Sequence, residues 1–173
     1  LAVSLYDASD LSNHEPLLAR ATIGLEGAWS EASWDKRAFT VLENAVAVPS
    51  HAAPETRETG LVMLPYAGWR DGAFESGVQL FTFSATTLTA RGRLTHATPV
   101  RRALSLDADT AACLSDRALS TWDVADPDVP VSLGSVDLAP SYSGFIGYGN
   151  YGVRTVDVGA TADQGTNHVP PSN

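Results

Sequence analysis

The chain has 173 residues, a one-domain length with room for a sizeable core. An apolar fraction of 44% argues against wholesale disorder, and a net charge of −9, from 20 acidic and 11 basic residues, repels polyphosphate and anionic lipid. No nucleic-acid partner is therefore expected. The single cysteine, Cys113, excludes an intrachain disulfide.

No apolar run approaches the roughly 20 residues of a membrane helix. The first residue is Leu1 rather than Met, so the sequence reads as a fragment or a processed chain.

Helical periodicity is nearly absent, and short strand signals recur with turns between them, which predicts an all-β protein. Leu1–Tyr6 is the first strand, followed by the turn Asp7–Asp10 and a second strand over Leu17–Ile23. Glu31–Trp34, Ala38–Leu42 and Ala45–Val48 read as inner strands. Pro49–Ser76, with prolines at 49, 54 and 65 and glycines at 60, 68 and 72, reads as an inserted loop without its own core. Strands over Gln79–Ser84 and Leu88–Leu94 follow.

Four short strands then come in succession, Val100–Leu106, Ala111–Leu114, Ala118–Val124 and Val131–Leu138, as in one four-stranded propeller blade. Ser141–Gly152 alternates glycine with aromatics, Val153–Val158 is one more candidate strand, and 159–173 reads as a disordered tail. Blades are expected over 1–140.

An internal repeat runs through these elements. Ser4-Leu-Tyr-Asp-Ala-Ser-Asp10 matches Ser120-Thr-Trp-Asp-Val-Ala-Asp126, and Gln79–Ser84 is a degenerate third copy. Aligning Tyr6, Phe81 and Trp122 gives spacings of 75 and 41 residues, the second close to the length of a four-stranded blade. The three aromatics are expected at equivalent buried positions. About two and a half to three blades would not close a ring, which leaves strand edges and apolar faces open to association.

The candidate chemistry is sparse. Asp7/Asp10, Asp107/Asp109 and Asp123/Asp126/Asp128 lack the spacing of a calcium loop and read as turn caps, so no metal or cofactor is expected. His14, His51, His96 and His168 fit no zinc spacing and read as solvated loop residues. Cys113, in an apolar strand, reads as core. No Gly-x-Ser-x-Gly is present, and no glycine-rich phosphate loop precedes a helix.

Two groups remain as candidate binding surface. Arg91 and Arg93 alternate on one strand face with Arg101-Arg102 following, either as an anion-binding patch or as partners of carboxylates such as Glu31 or Asp107. Tyr66, Trp69 and Arg70, with Asp71 and Phe74, put aromatics beside a guanidinium. That combination suits protein or glycan contact, or a lid folded back over a blade. The candidate surface is thus Tyr66, Trp69, Arg70, Arg91, Arg93 and Arg101.

Ser30-Glu-Ala32 with Asp35 and Ala38-Phe39, Phe74-Glu-Ser-Gly-Val78, Arg91-Gly-Arg-Leu-Thr-His96 and Pro99-Val-Arg-Arg102 carry a resemblance. Over roughly Leu1 to Leu138 the chain resembles a family of secreted prokaryotic proteins with a C-terminal β-propeller distantly related to WD-type repeats. The resemblance implies a propeller fold and an extracellular or cell-envelope location, and it supplies no catalytic residues. The expected function is a non-catalytic binding or scaffold module with a protein or glycan partner. The rival is a fragment of a propeller hydrolase or lyase whose catalytic groups lie mostly in missing blades.

Overall fold

The structure is a computed structural model that describes residues 1–10, 12, 14–43, 60–138, 142–149 and 151–156. Thirteen strands lie among them: β1 (Ala2–Tyr6), β2 (Leu17–Thr22), β3 (Glu26–Trp29), β4 (Thr40–Leu42), β5 (Gly60–Arg70), β6 (Ala73–Phe83), β7 (Leu88–Thr95), β8 (Val100–Ser105), β9 (Thr110–Ser115), β10 (Ala118–Asp123), β11 (Val131–Asp137), β12 (Tyr142–Tyr148) and β13 (Tyr151–Val156). The protein is all-β, in several antiparallel sheets, none of them closed.

Two compact units divide the chain, 1–138 and 139–173. The second contains the hairpin β12–β13, turning near Gly149 at φ 59°. The glycine-aromatic segment is therefore itself a strand, and the strand expected at 153–158 begins at Tyr151. The expected tail at 159–173 lies outside the described residues.

The first unit stacks three sheets. The central one has the order β3-β5-β6-β7, with β4 also pairing with β5. One of its faces puts Leu61, Met63, Val78, Leu80 and Leu94 against Val100, Ala103, Ala111, Cys113 and Val124 of the sheet β11-β10-β9-β8 and the loop after β10. Its other face puts Val62, Leu64, Tyr66 and Phe81 against Ile23, with Leu1, Val3 and Ala21 of the β1–β2 sheet. Covered on both sides, β5 reads as an unbroken apolar run rather than an alternating one.

That burial overturns the loop expected at 49–76, as far as 60–76 is concerned; 49–59 lies outside the described residues. Gly60–Arg70 and Ala73–Phe83 form a hairpin of two eleven-residue strands in continuous register. Its tip is Asp71-Gly72, with both residues at positive φ, 51° and 78°. Asp-Gly between apolar runs is the strongest short hairpin signal, and it was present in the sequence. Pro65 misled because it sits in a central strand. On the β3/β4 side, however, β4 pairs with β5 at 61–63 and β3 at 67 and 69, so Pro65 falls where that edge has no strand partner.

The inner strand expected at Glu31–Trp34 is instead a 3-10 turn, Glu31–Ser33, and a second such turn at Lys36–Ala38 precedes β4. Ser30 and Asp35 cap them, accepting from the N–H groups of Ala32 and Arg37. Ala45–Val48 lies outside the described residues.

The four strands expected from 100 to 138 are present within one or two residues, as the antiparallel run β8-β9-β10-β11. Three hairpins share one irregularity. The hairpins β1–β2, β6–β7 and β10–β11 each shift register immediately before or at the aligned aromatic, at Leu5/Tyr6, Gln79/Phe81 and Thr121/Trp122. Asp7 and Asp123 each accept from the N–H two residues on, as do Asp10 and Asp126. Equivalent burial fails. Phe81 is fully buried and Trp122 half-buried against the core, whereas Tyr6 is 57% exposed. Phe81 faces the first sheet and Trp122 the central one; no other sheet of residues 1–138 covers Tyr6's side.

Candidate binding surface

The β5–β6 hairpin carries two groups of side chains. Opposed residues of an antiparallel pair share a face, and so do alternate residues along a strand. Trp29 opposes Ala67 and Trp69 opposes Phe74, so Trp29, Trp69 and Phe74 project from one face, the face that Leu61 and Met63 turn to the core. Trp69 and Phe74 meet edge to face at 5.5 Å. The tight caps at Ser30 and Asp35 bring Trp34 back onto Trp29, stacked at 5.9 Å. Trp34, Trp69 and Phe74 remain 65%, 43% and 46% exposed.

Ion pairs fix this surface. The Trp34 indole N–H and the Arg101 guanidinium both donate to the buried carboxylate of Glu31. Arg101 also forks onto Asp116, donating from Nε at 3.0 Å and from Nη2 at 2.7 Å. This pairing holds the Asp116 carboxyl below its usual range and raises Arg101. Arg102 reaches Asp35 at 3.3 Å.

On the opposite face of the hairpin, Arg70 donates to Glu75 at 2.9 Å, and Arg93 donates to Glu75 at 3.2 Å and to Gln79 at 2.7 Å. The Arg93 guanidinium lies 5.4 Å from the ring centre of Tyr66, which is buried and whose phenol is pushed up by that burial. The Gln79 amide donates to the carbonyls of Leu80, Arg91 and Gly92, closing the irregular register of β6–β7.

The six candidate residues therefore separate. Tyr66, Arg70 and Arg93 form one network, Trp69 stands on the other face of the same hairpin, and Arg101 belongs to the Trp34 cluster. Arg91 lies apart, bonded to Thr82 and paired with Asp128 at 3.2 Å. Each of these arginines meets a carboxylate, and of the two partners considered for them, Glu31 is used.

Trp29 and Trp34 were missed by the sequence reading. The signal was there in two capping residues, Ser30 and Asp35, each opening a short turn next to a tryptophan. His96 also differs from the solvated reading. It sits between Ser120 and Ser115, 3.0 Å from each hydroxyl, and Trp122 Nε1 donates to the same Ser120. Burial lowers its pKa. The Cys113 thiol, buried in the core, is pushed up to about 12 by burial and is not a nucleophile at neutral pH. The acidic runs form turns, with Asp7, Asp10, Asp107, Asp123 and Asp126 each accepting from backbone two residues ahead.

No protein-family model, no curated protein and no solved structure matches the chain.

Proposed function

We propose that this chain is a non-catalytic binding module of a secreted or cell-surface protein, built from successive blades of propeller type. Its contact for a protein or glycan is the aromatic surface of Trp29, Trp34, Trp69 and Phe74. The carrying observation is that Trp34, Trp69 and Phe74 stand exposed, with half-buried Trp29 stacked against Trp34, while the Arg101 guanidinium beside them is held by Glu31 and Asp116. Rigid aromatic area exposed at low entropic cost suits recognition. Support for the blade reading is the recurrence of the same irregular hairpin in three stacked sheets.

The test passes soluble envelope polysaccharides and envelope protein extracts over the immobilised chain. A retained ligand should lose about 2 kcal/mol or more, roughly thirtyfold in affinity, in the Trp34→Ala/Trp69→Ala variant. Unchanged retention by that variant, or no retention by the wild type, overturns the reading.

A further inference from the structure

Strand β1 has two edges, and only one is taken by β2. Ile23 N–H donates to the Leu1 carbonyl at 2.9 Å, and the register places Val3 opposite Ala21 and Leu5 opposite Ala19. Hydrogen-bonded pairs alternate along an antiparallel ladder, so Leu1, Val3 and Leu5 bond β2. Ala2 and Ser4 turn their N–H and C=O groups to the other edge. Among the described residues no strand meets them there.

Two cavities lie in line along β1. One, of about 340 Å³, is lined by Leu1–Ser4 with Lys36, Phe39 and Leu64. The other, of about 400 Å³, is lined by Leu5–Ala8 with Glu43, Gly60 and Phe83. Together they give this edge an apolar floor, with a cation toward the Leu1 end and carboxylates of Asp7 and Glu43 toward the other.

The repeat identifies what such an edge takes. In the equivalent hairpin β10–β11, Ser120 and Trp122 stand where Ser4 and Tyr6 stand in β1–β2, and the same edge of β10 is occupied by antiparallel β9. Cys113 opposes Ser120 and Ala111 opposes Trp122, while Ala112 and Leu114 oppose Thr121 and Leu119, the counterparts of Leu5 and Val3.

We propose that the open edge of β1 accepts an extended segment of a different polypeptide as an antiparallel strand. The guest runs from the Asp7 end to the Leu1 end. It places small residues opposite Ser4 and Tyr6, and apolar residues opposite Leu5 and Val3 over Phe83, Leu64 and Phe39. A basic residue at its N-terminal end meets Asp7 and Glu43, and an acidic one at its C-terminal end meets Lys36. Backbone pairing supplies the affinity and the apolar floor supplies the selectivity.

The probe is a fluorescein-labelled peptide, Lys-Thr-Ala-Ala-Ala-Leu-Ser-Glu. It is the sequence of β9 with alanine for Cys113 and a charged residue at each end. Anisotropy with the whole chain should show saturable binding. N-methylation at the two residues matching Ala111 and Cys113, whose N–H groups face β1, should weaken it at least about tenfold; N-methylation at the residues matching Ala112 and Leu114 should leave it within about twofold. Ser4→Pro removes a donor from the open edge without touching the β2 ladder. It should weaken the peptide similarly while the melting temperature holds.

No saturation by about 1 mM peptide overturns the proposal. Equal loss from the two methylation patterns also overturns it, because the guest would then sit in the cavities without pairing. Wild-type affinity in folded Ser4→Pro does the same. Should Ser4→Pro fail to fold, the methylation pair decides alone.

Discussion

At the scale of single residues, His96 shows how position changes a side chain's meaning. Its neighbours in sequence, Thr95 and Ala97, give no hint of burial, yet it joins the end of β7 in the central sheet to β9 and β10 through Ser115 and Ser120. Burial disfavours the imidazolium and lowers the native pKa below 6.5, the value of the unfolded state. Below pH 6.5 the unfolded chain therefore binds more protons than the native one, and stability falls as pH drops from 6.5 through the native pKa. Above pH 6.5 this contribution is fully present.

The carboxyls of Asp7, Asp10, Asp35, Asp107 and Asp116 are all lowered from 3.8, chiefly by hydrogen bonds from Ser9, Ser12, Arg37, Asp109 and Arg101 respectively. Their loss belongs to more acid conditions. Urea midpoints should thus decline between pH 7.5 and 5, and His96→Gln should flatten that decline. An unchanged slope in His96→Gln would remove His96 as its source. Gly92 makes a similar point about neighbours. A Cβ there would stand 2.5 Å from Pro130 Cδ and 2.8 Å from the Pro127 carbonyl, a loop 35 or more residues away in sequence.

At the scale of elements, three hairpins share a register shift. Tyr6, Phe81 and Trp122 share their place beside a register shift, but their burial differs because burial depends on the neighbouring sheet. Phe81→Ala should cost about 3–5 kcal/mol, the range for emptying a filled aromatic site. Tyr6→Ala, at an exposed position, should stay within about 0.5 kcal/mol. Denaturant unfolding of the two variants checks this, and comparable losses would contradict the assignment of Tyr6's side as uncovered.

The same contrast explains what was legible in the sequence. Strands β8 to β11 were readable because one face of each pair alternates and Asp- or Ser-rich turns separate them. Strands β5 and β6 were not, because a strand buried on both faces loses its alternation and Pro65 breaks its propensity. The Asp71-Gly72 tip outweighed both. Of the candidate surface, Trp69 was legible from its local cluster, whereas the pairing of Trp29 with Trp34 depends on two 3-10 turns. The alternation of Arg91 and Arg93 predicts one shared strand face, but the irregular register of β6–β7 sends them to different partners, Thr82 and Gln79.

At the scale of the whole first unit, three sheets stacked face to face leave two outer faces. Beyond the third sheet, register places Leu104 with Thr121, and Leu114 with Leu119 and Val136, on the side away from the core; Leu104 and Val136 are 41% and 55% exposed. Beyond the first sheet stands Tyr6. The edge strand β11 is exposed along its whole length and carries only Asp137 as a charge. Such faces and edges favour association between copies, each outer face repeating the way the sheets already stack within one chain.

Light scattering coupled to gel filtration, across a range of protein concentrations, measures this most directly. Two outer faces that no sheet of residues 1–138 covers predict a mass that rises with concentration and returns to monomer in Leu104→Lys/Val136→Lys. A sharp wild-type monomer at every concentration, with a cooperative melt, would contradict it.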